Sequence, residues 1–255
     1  MIDSHAHLDD EDFDVDREEV IGGLEAAGID LVVNIAADLP SSEASVALAK
    51  EHPRIYATVG VHPHEAKTYD DEVEARLREL AKEEKVVALG EIGLDFHYDF
   101  SPRDVQRQVF KRQLALAHEL GLPIVIHSRE ADQETFDLIK AHMEEHPEDR
   151  VLIHCYSGSV ELMREYTKRG AYIALGGTTT FKNARVPKEV AKEVPLTKLL
   201  LETDSPYLTP VPYRGKRNEP KYVRLVAENI ANLRGIDVEE LVEHTDANTR
   251  AFYGL

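Results

Sequence analysis

An α/β fold closed into a single (β/α)8 (TIM) barrel is the architecture this sequence predicts, and three observations predict it. Short runs rich in Val, Ile and Leu recur along the chain, as they do where strands are buried on both faces. Segments with helical spacing separate the runs. The length, 255 residues, suits one barrel of this kind.

Taken in order, the opening Ile2-Asp3-Ser4 is the weakest of eight candidate strands. Leu31-Val32-Val33-Asn34-Ile35, Ile55 to Val59, Val86 to Leu89 and Ile124-Val125-Ile126 follow. Val151-Leu152-Ile153, Tyr172 to Leu175 and Leu199-Leu200-Leu201 complete the set. Between the first two, Val20, Leu24 and Ala27 fall on successive helical turns, as do Val109, Gln113, Leu116 and Leu120 before the fifth. That later helix is well punctuated: Ser101 suits its N-cap, Pro102 its first position, and Gly121 followed by Pro123 its exit. Pro220 can open a helix containing Val223, Ala227 and Ile230 that stops at Gly235, and Asp237 and Glu240 have capping-box spacing. Thr203 to Glu219 is the longest stretch without a pattern, a length that more often signals function than filler. Hydrophobic residues make up 42% of the chain with no long polar block, so residues 1–255 are expected to form one domain. Pattern alone leaves an open doubly wound sheet as competitor, and the chemistry of the strand ends decides between them.

The net charge of −18 argues against non-specific coating of nucleic acid, which basic proteins perform. Most of the excess Asp and Glu is expected on solvated helix faces, while bound cations and a local basic patch can still supply a positive field at a site. Cys155 is the single cysteine, the first residues have neither the basic flank nor the apolar run of a signal peptide, and no apolar stretch approaches the roughly 20 residues of a membrane span. A cytoplasmic protein without membrane insertion is the expectation.

His5 and His7 stand at i and i+2 at the end of the first strand, where an extended backbone projects both to one side. The placement recurs: Glu91 follows Val86 to Gly90, His127 follows the Ile124 strand, His154 follows the Val151 strand, and Asp204 follows the Leu199 strand through Glu202-Thr203. In a closed barrel these ends converge on one face. Singly, each His fits a core or capping role as well as a ligand role. Together, four imidazoles and two carboxylates exceed one tetrahedral zinc and suit two ions if a carboxylate bridges.

These residues lie within His5-Ala6-His7, Gly60-Val61-His62-Pro63-His64, Gly90-Glu91-Ile92-Gly93-Leu94-Asp95, His127-Ser128-Arg129, His154-Cys155-Tyr156-Ser157-Gly158, Leu201-Glu202-Thr203-Asp204-Ser205-Pro206 and Arg214-Gly215-Lys216-Arg217-Asn218-Glu219-Pro220. In this order and over nearly the whole chain, the set resembles the TatD family, departing only in Tyr156, where many relatives have Phe. The resemblance implies a barrel of the metallo-dependent hydrolase type and a deoxyribonuclease with 3′–5′ exonuclease-like phosphodiesterase action on single-stranded DNA or DNA ends. It implies that His5, His7 and Asp204 hold one divalent ion, that His127 and His154 hold a second, and that Glu91 bridges.

With six ligands placed, His62 is read as a contact to substrate or leaving group and His64 as a weaker one that could equally be packing. Arg129, Arg214 and Arg217 are candidate phosphate contacts, with a solvent-facing role as the alternative for Arg217 and Lys216. Asp204 is the expected general base, with Glu91 and His62 the other catalytic residues. The ligand set is compatible with zinc, manganese or cobalt, and magnesium remains possible through its abundance. Phe96, Tyr98, Phe181, Tyr207 and Tyr213 are candidate top-face aromatics for stacking bases. His52, His97, His118, His142, His146 and His244 read as structural or surface residues, and Cys155 as a small neighbour of a ligand. The same site on a carbonyl would make an amidohydrolase or an esterase of aminoacyl-nucleic acid, and a metal-binding partner without turnover is the non-enzyme alternative. No obligate protein partner is inferred.

Overall fold

In the computed structural model, which describes residues 1–255, eight parallel strands in chain order form a nearly closed barrel with helices between them. The strands are β1 (Ile2–Ala6), β2 (Leu31–Asn34), β3 (Ile55–Val59), β4 (Val86–Asp95), β5 (Ile124–Arg129), β6 (Val151–Ile153), β7 (Tyr172–Leu175) and β8 (Leu199–Leu201). The helices are α1 (Arg17–Gly22), α2 (Leu39–Glu51), α3 (Asp71–Leu80), α4 (Arg103–Leu120), α5 (Asp132–Glu145), α6 (Val160–Lys168), α7 (Arg185–Glu193), α8 (Val223–Arg234) and α9 (Val238–Tyr253). No helix is long and apolar enough to cross a membrane.

The strands read as continuous apolar runs because both of their faces are covered. Ile2, Val33, Val125, Leu152, Ala174 and Leu200 pack inside the barrel, whose floor is closed by Phe252 and Tyr253 of α9. Their chain neighbours Val32, Ile124, Ile126, Ile153, Leu199 and Leu201 pack outward against the helices. Closure between β8 and β1 is made by loop residues: Ala6 and Ser205 form a parallel bridge, Asp204 N–H donates to the His5 carbonyl at 2.9 Å, and His7 N–H donates to the Ser205 carbonyl at 2.7 Å. The seam of the barrel therefore fixes three of the candidate ligands against one another.

Three local expectations shift. α1 stops at Gly22 with Gly23 as its cap, ahead of Leu24 and Ala27, because paired glycines end a helix readily; Leu24 stays buried on the turn that follows. Ser101 does not cap α4, which starts at Arg103 with Pro102 in the cap position; its hydroxyl instead donates to the His64 carbonyl at 2.7 Å and accepts the Lys67 N–H at 3.0 Å. β4 runs on to Asp95, past the apolar stretch that marked it. Gly93 makes that possible: its φ is +148°, and a Cβ there would lie 1.9 Å from the His127 carbonyl oxygen on β5. Gly121 and Gly235 end α4 and α8 in the left-handed conformation as expected.

Candidate metal centre

Glu91, on the extended part of β4, is buried at the middle of a ring of imidazoles. Its Oε2 lies 3.2 Å from His5 Nε2 and 3.8 Å from His7 Nε2, both from β1 and its exit. Its Oε1 lies 2.7 Å from His127 Nδ1, 2.9 Å from His154 Nε2 and 3.4 Å from His62 Nε2. One carboxylate thus faces two groups of histidines, one through each oxygen. Asp204 closes the first group, with Oδ1 3.4 Å from His7 Nε2 and 3.6 Å from His5 Nε2. It does so from a left-handed backbone (φ +57°) held by the seam bonds, a strained conformation of the kind that clusters at functional sites.

Hydrogen bonds on the far side of each ring select which nitrogen faces the centre. His7 Nδ1 donates to the Ile35 carbonyl at 2.9 Å, and His127 Nε2 donates to Asp95 Oδ2 at 3.0 Å, so the other nitrogen of each ring faces the centre and can bind metal once its proton is lost. His62 is wired in the opposite sense: its Nδ1 accepts the His64 N–H at 3.1 Å, so its Nε2 carries the proton and points a donor at Glu91. That tautomer suits a substrate contact and not a ligand, although His62, Glu91 and His127 also bring ligand atoms within 4.8 Å of one another.

The donor set fits divalent metal. Two nitrogens bound to one tetrahedral ion at about 2.0–2.1 Å stand about 3.4 Å apart. His5 and His7 Nε2 are 3.3 Å apart, and His127 Nδ1 and His154 Nε2 are 3.4 Å apart. Without metal, protons take over the same positions. Burial alone would lower His7 and His127, but Asp204 beside the first, and Asp95 and Glu91 beside the second, raise both to about 9. Burial lowers His5 and His62 to about 4, helped by the charges of His154 and His127 respectively. Burial would raise the Glu91 and Asp204 carboxyls, yet the surrounding histidines hold both below the usual range.

The sequence pattern did not single out two buried carboxyls that position this centre. Asp95 accepts from His127 and, at 2.9 Å, from His64 Nε2, while the His97 and Tyr98 N–H groups donate to its other oxygen at 3.0 and 3.1 Å. These bonds outweigh burial and hold its carboxyl well below the usual range. Glu202 accepts the Cys155 N–H at 2.7 Å, and its Oε2, lacking a partner, stands 3.8 Å from the equally unpartnered His154 Nδ1. Burial, then the charge of Asp204, pushes the Glu202 carboxyl well up. Their only sequence signal was position: Asp95 ends the Gly90 motif and Glu202 stands two residues before Asp204. Burial likewise pushes the Cys155 thiol well up, which agrees with reading it as an unreactive neighbour.

The candidate substrate contacts separate. Arg129 ends β5, its guanidinium 4.8 Å from the Tyr98 ring centroid. Arg214 lies over Phe181 at 3.6 Å and lines, with Pro206, Leu208 and Lys216, a cleft beside the Asp204 loop. Arg217 lines the same cleft, but its fork is taken by a bidentate pair with Asp16 at 2.6 and 2.7 Å and by the Asp12 carbonyl at 2.7 Å, so it ties the long loop to the start of α1. Tyr207 is also engaged, its hydroxyl donating to Asp10 at 2.5 Å.

A family model described as TatD related DNase matches residues 2–254. The chain belongs to this family. Among its TatD relatives, the metal-dependent hydrolase YabD of Bacillus subtilis (strain 168) is 44% identical over 255 residues, covering 100% of this chain and 99% of that protein. The 3′–5′ ssDNA/RNA exonuclease TatD of Enterobacter lignolyticus (strain SCF1) is 34% identical, covering 100% of this chain and 99% of that one. The crystal structure of YJJV, a TatD homolog from Escherichia coli K12, superposes with a TM-score of 0.94 at 29% identity, covering 100% of this chain and 98% of that chain. The TatD resemblance and the barrel thus agree, and the His, Glu and Asp side chains of the centre form groups able to hold metal.

Proposed function

We propose that this protein is a cytoplasmic phosphodiesterase that shortens single-stranded DNA from its ends with the help of two divalent cations. The observation that carries the reading is the pairing of imidazole nitrogens at 3.3 and 3.4 Å on opposite sides of Glu91. In this reading His5, His7 and Asp204 hold one cation, His127 and His154 hold the other, and Glu91 lies between them. Bound there, such ions lower the pKa of water and draw charge from phosphoryl oxygens. The name of the Enterobacter relative, an ssDNA/RNA exonuclease, supports nucleic acid as the substrate class.

The chain's own residues supply the remaining work. The Asp204 carboxylate, held ionised by His7, His154 and His5 against the cost of burial, receives the proton of the attacking water. The neutral His62 donates from Nε2 to an oxygen of the scissile phosphate or the leaving group. Arg129 and Arg214 each present a guanidinium to the flanking phosphates. Tyr98 and Phe100 stack on each other at 5.1 Å and 11°, and with 48% and 56% exposure they offer a face on which a base can stack next to His64. Phe100 was not among the aromatics singled out from the sequence.

The test is turnover of three chromogenic substrates, a phosphodiester, a carboxylic ester and an anilide, by metal-stripped protein reloaded with manganese, magnesium or zinc. The reading expects metal-dependent release from the phosphodiester. Release from the ester or anilide alone would overturn it in favour of an amidohydrolase or esterase.

A further inference from the structure

Three histidines that read as surface or structural residues come together at the opposite end of the barrel. His118 stands in the last turn of α4, His142 in the last turns of α5, and His146 is the residue that caps α5. Glu148 and Asp149 follow on the loop into β6. His142 and His146 have the i, i+4 spacing that sets two imidazoles on one helix face. His118 reaches them from the neighbouring helix, its ring stacked on His146 at 3.6 Å and 25°. Ligand atoms of His118, His146 and Glu148 all lie within 4.8 Å of one another. Behind them the Asp149 side chain, 7% exposed, takes His118 Nδ1 at 3.1 Å and His142 Nε2 at 2.8 Å.

We propose that this cluster is a divalent transition-metal site, held by His118, His146 and Glu148 and separate from the centre at the strand exits. Two observations point to a cation there. The His146 ring has no hydrogen-bonding carboxylate: the nearest carboxylate oxygen, on Glu145, is 4.0 Å away. Two helices, α4 and α5, end at the cluster, and helix C-termini favour positive charge. The rings stack face to face, so to share one ion His118 and His146 turn about their side-chain bonds, which their partial exposure allows. Two nitrogens and one carboxylate oxygen form a three-ligand set typical of zinc with an open fourth position. Asp149 orients His118 in the way carboxylates position ligand histidines. The His118 and His146 side chains are 36% and 25% exposed, so a cation can enter from solvent.

Zinc is the probe. Zinc bound per chain, measured by equilibrium dialysis and atomic spectroscopy on the full-length protein, is expected to fall by one equivalent in His118→Ala/His146→Ala, with hydrolase turnover unchanged. His5→Ala/His127→Ala, altered only at the strand exits, is expected to keep that equivalent. Asp149→Asn, which keeps the side-chain shape, is expected to weaken the site by about 10-fold or more. Should the double variant not fold, Glu148→Gln at the exposed ligand must still weaken zinc binding by about 10-fold. Zinc stoichiometry and affinity equal to the wild type in the variant that folds would overturn the proposal.

Discussion

Histidines and carboxylates gather at both ends of this barrel, on different kinds of backbone. At the strand exits, His127 stands on a strand paired on both sides, His5 on β1 between β2 and the Asp204–Ser205 segment that closes the seam, and His154 directly follows another strand. Glu91 is 3% exposed there, Asp95 0% and His154 5%. At the other end, His118 and His146 stand at the ends of helices, half in water, with the exposed Glu148 beside them. The difference is one of fixity. A ligand on a buried strand is positioned before any ion arrives, whereas one on a helix end can settle around the ion. The first arrangement suits chemistry, which depends on placement to within a fraction of an ångström, and the second suits binding alone.

The largest effect is expected from changing Glu91, the carboxylate that faces both groups of histidines. Glu91→Gln is expected to lower kcat/KM on a single-stranded oligonucleotide by about 10^3-fold, the scale on which a charge placed at the reacting centre acts; steady-state kinetics at saturating metal measures it. Asp95→Asn touches the centre only through His127 and His64. It is expected to weaken metal binding by about 10- to 100-fold, so raising the metal concentration should restore much of its turnover, as it should not for Glu91→Gln. Tyr98→Ala/Phe100→Ala is expected to raise KM for single strands by about 10-fold, from a stacking contribution of about 1–3 kcal/mol per base, with kcat nearly unchanged.

Proton release probes the strand-exit centre next. With no metal, His7 and His127 are held protonated up to about pH 9, and a ligand imidazole must be neutral. Loading the strand-exit centre at pH 7 is therefore expected to release about two protons, and its apparent affinity to rise with pH until about 9. Calorimetry in two buffers of different protonation enthalpy reads the release directly. The smallest expected effect is on catalysis by His118→Ala/His146→Ala: turnover within about twofold of wild type, as for distant sites that share no partner.

The strands were legible because parallel, doubly covered strands are apolar throughout, so the runs at Ile55, Val151, Tyr172 and Leu199 coincide with β3, β6, β7 and β8. β4 read short because Gly90, Glu91 and Gly93 interrupt the apolar pattern that carries the signal, although the backbone continues as strand. The six proposed ligands stood out because each marks the end of such a run. Asp95 and Glu202 did not, since a carboxyl that braces a histidine from a neighbouring strand has no local pattern of its own. Arg217 looked free for phosphate because its partner Asp16 is remote in sequence. The cluster at His118 escaped for the same reason: two helix ends and a loop meet only in three dimensions.

In the proposed mechanism the strand-exit centre cuts phosphodiester bonds with bound metal and the Asp204 carboxylate. Its most direct test is digestion of 3′- and 5′-end-labelled single-stranded DNA by metal-stripped protein supplied with manganese, magnesium or zinc, beside Asp204→Asn. Shortening is expected only with metal and only by the unaltered protein, with the 3′ label lost first. Intact DNA under every metal, although metal binds, would contradict it.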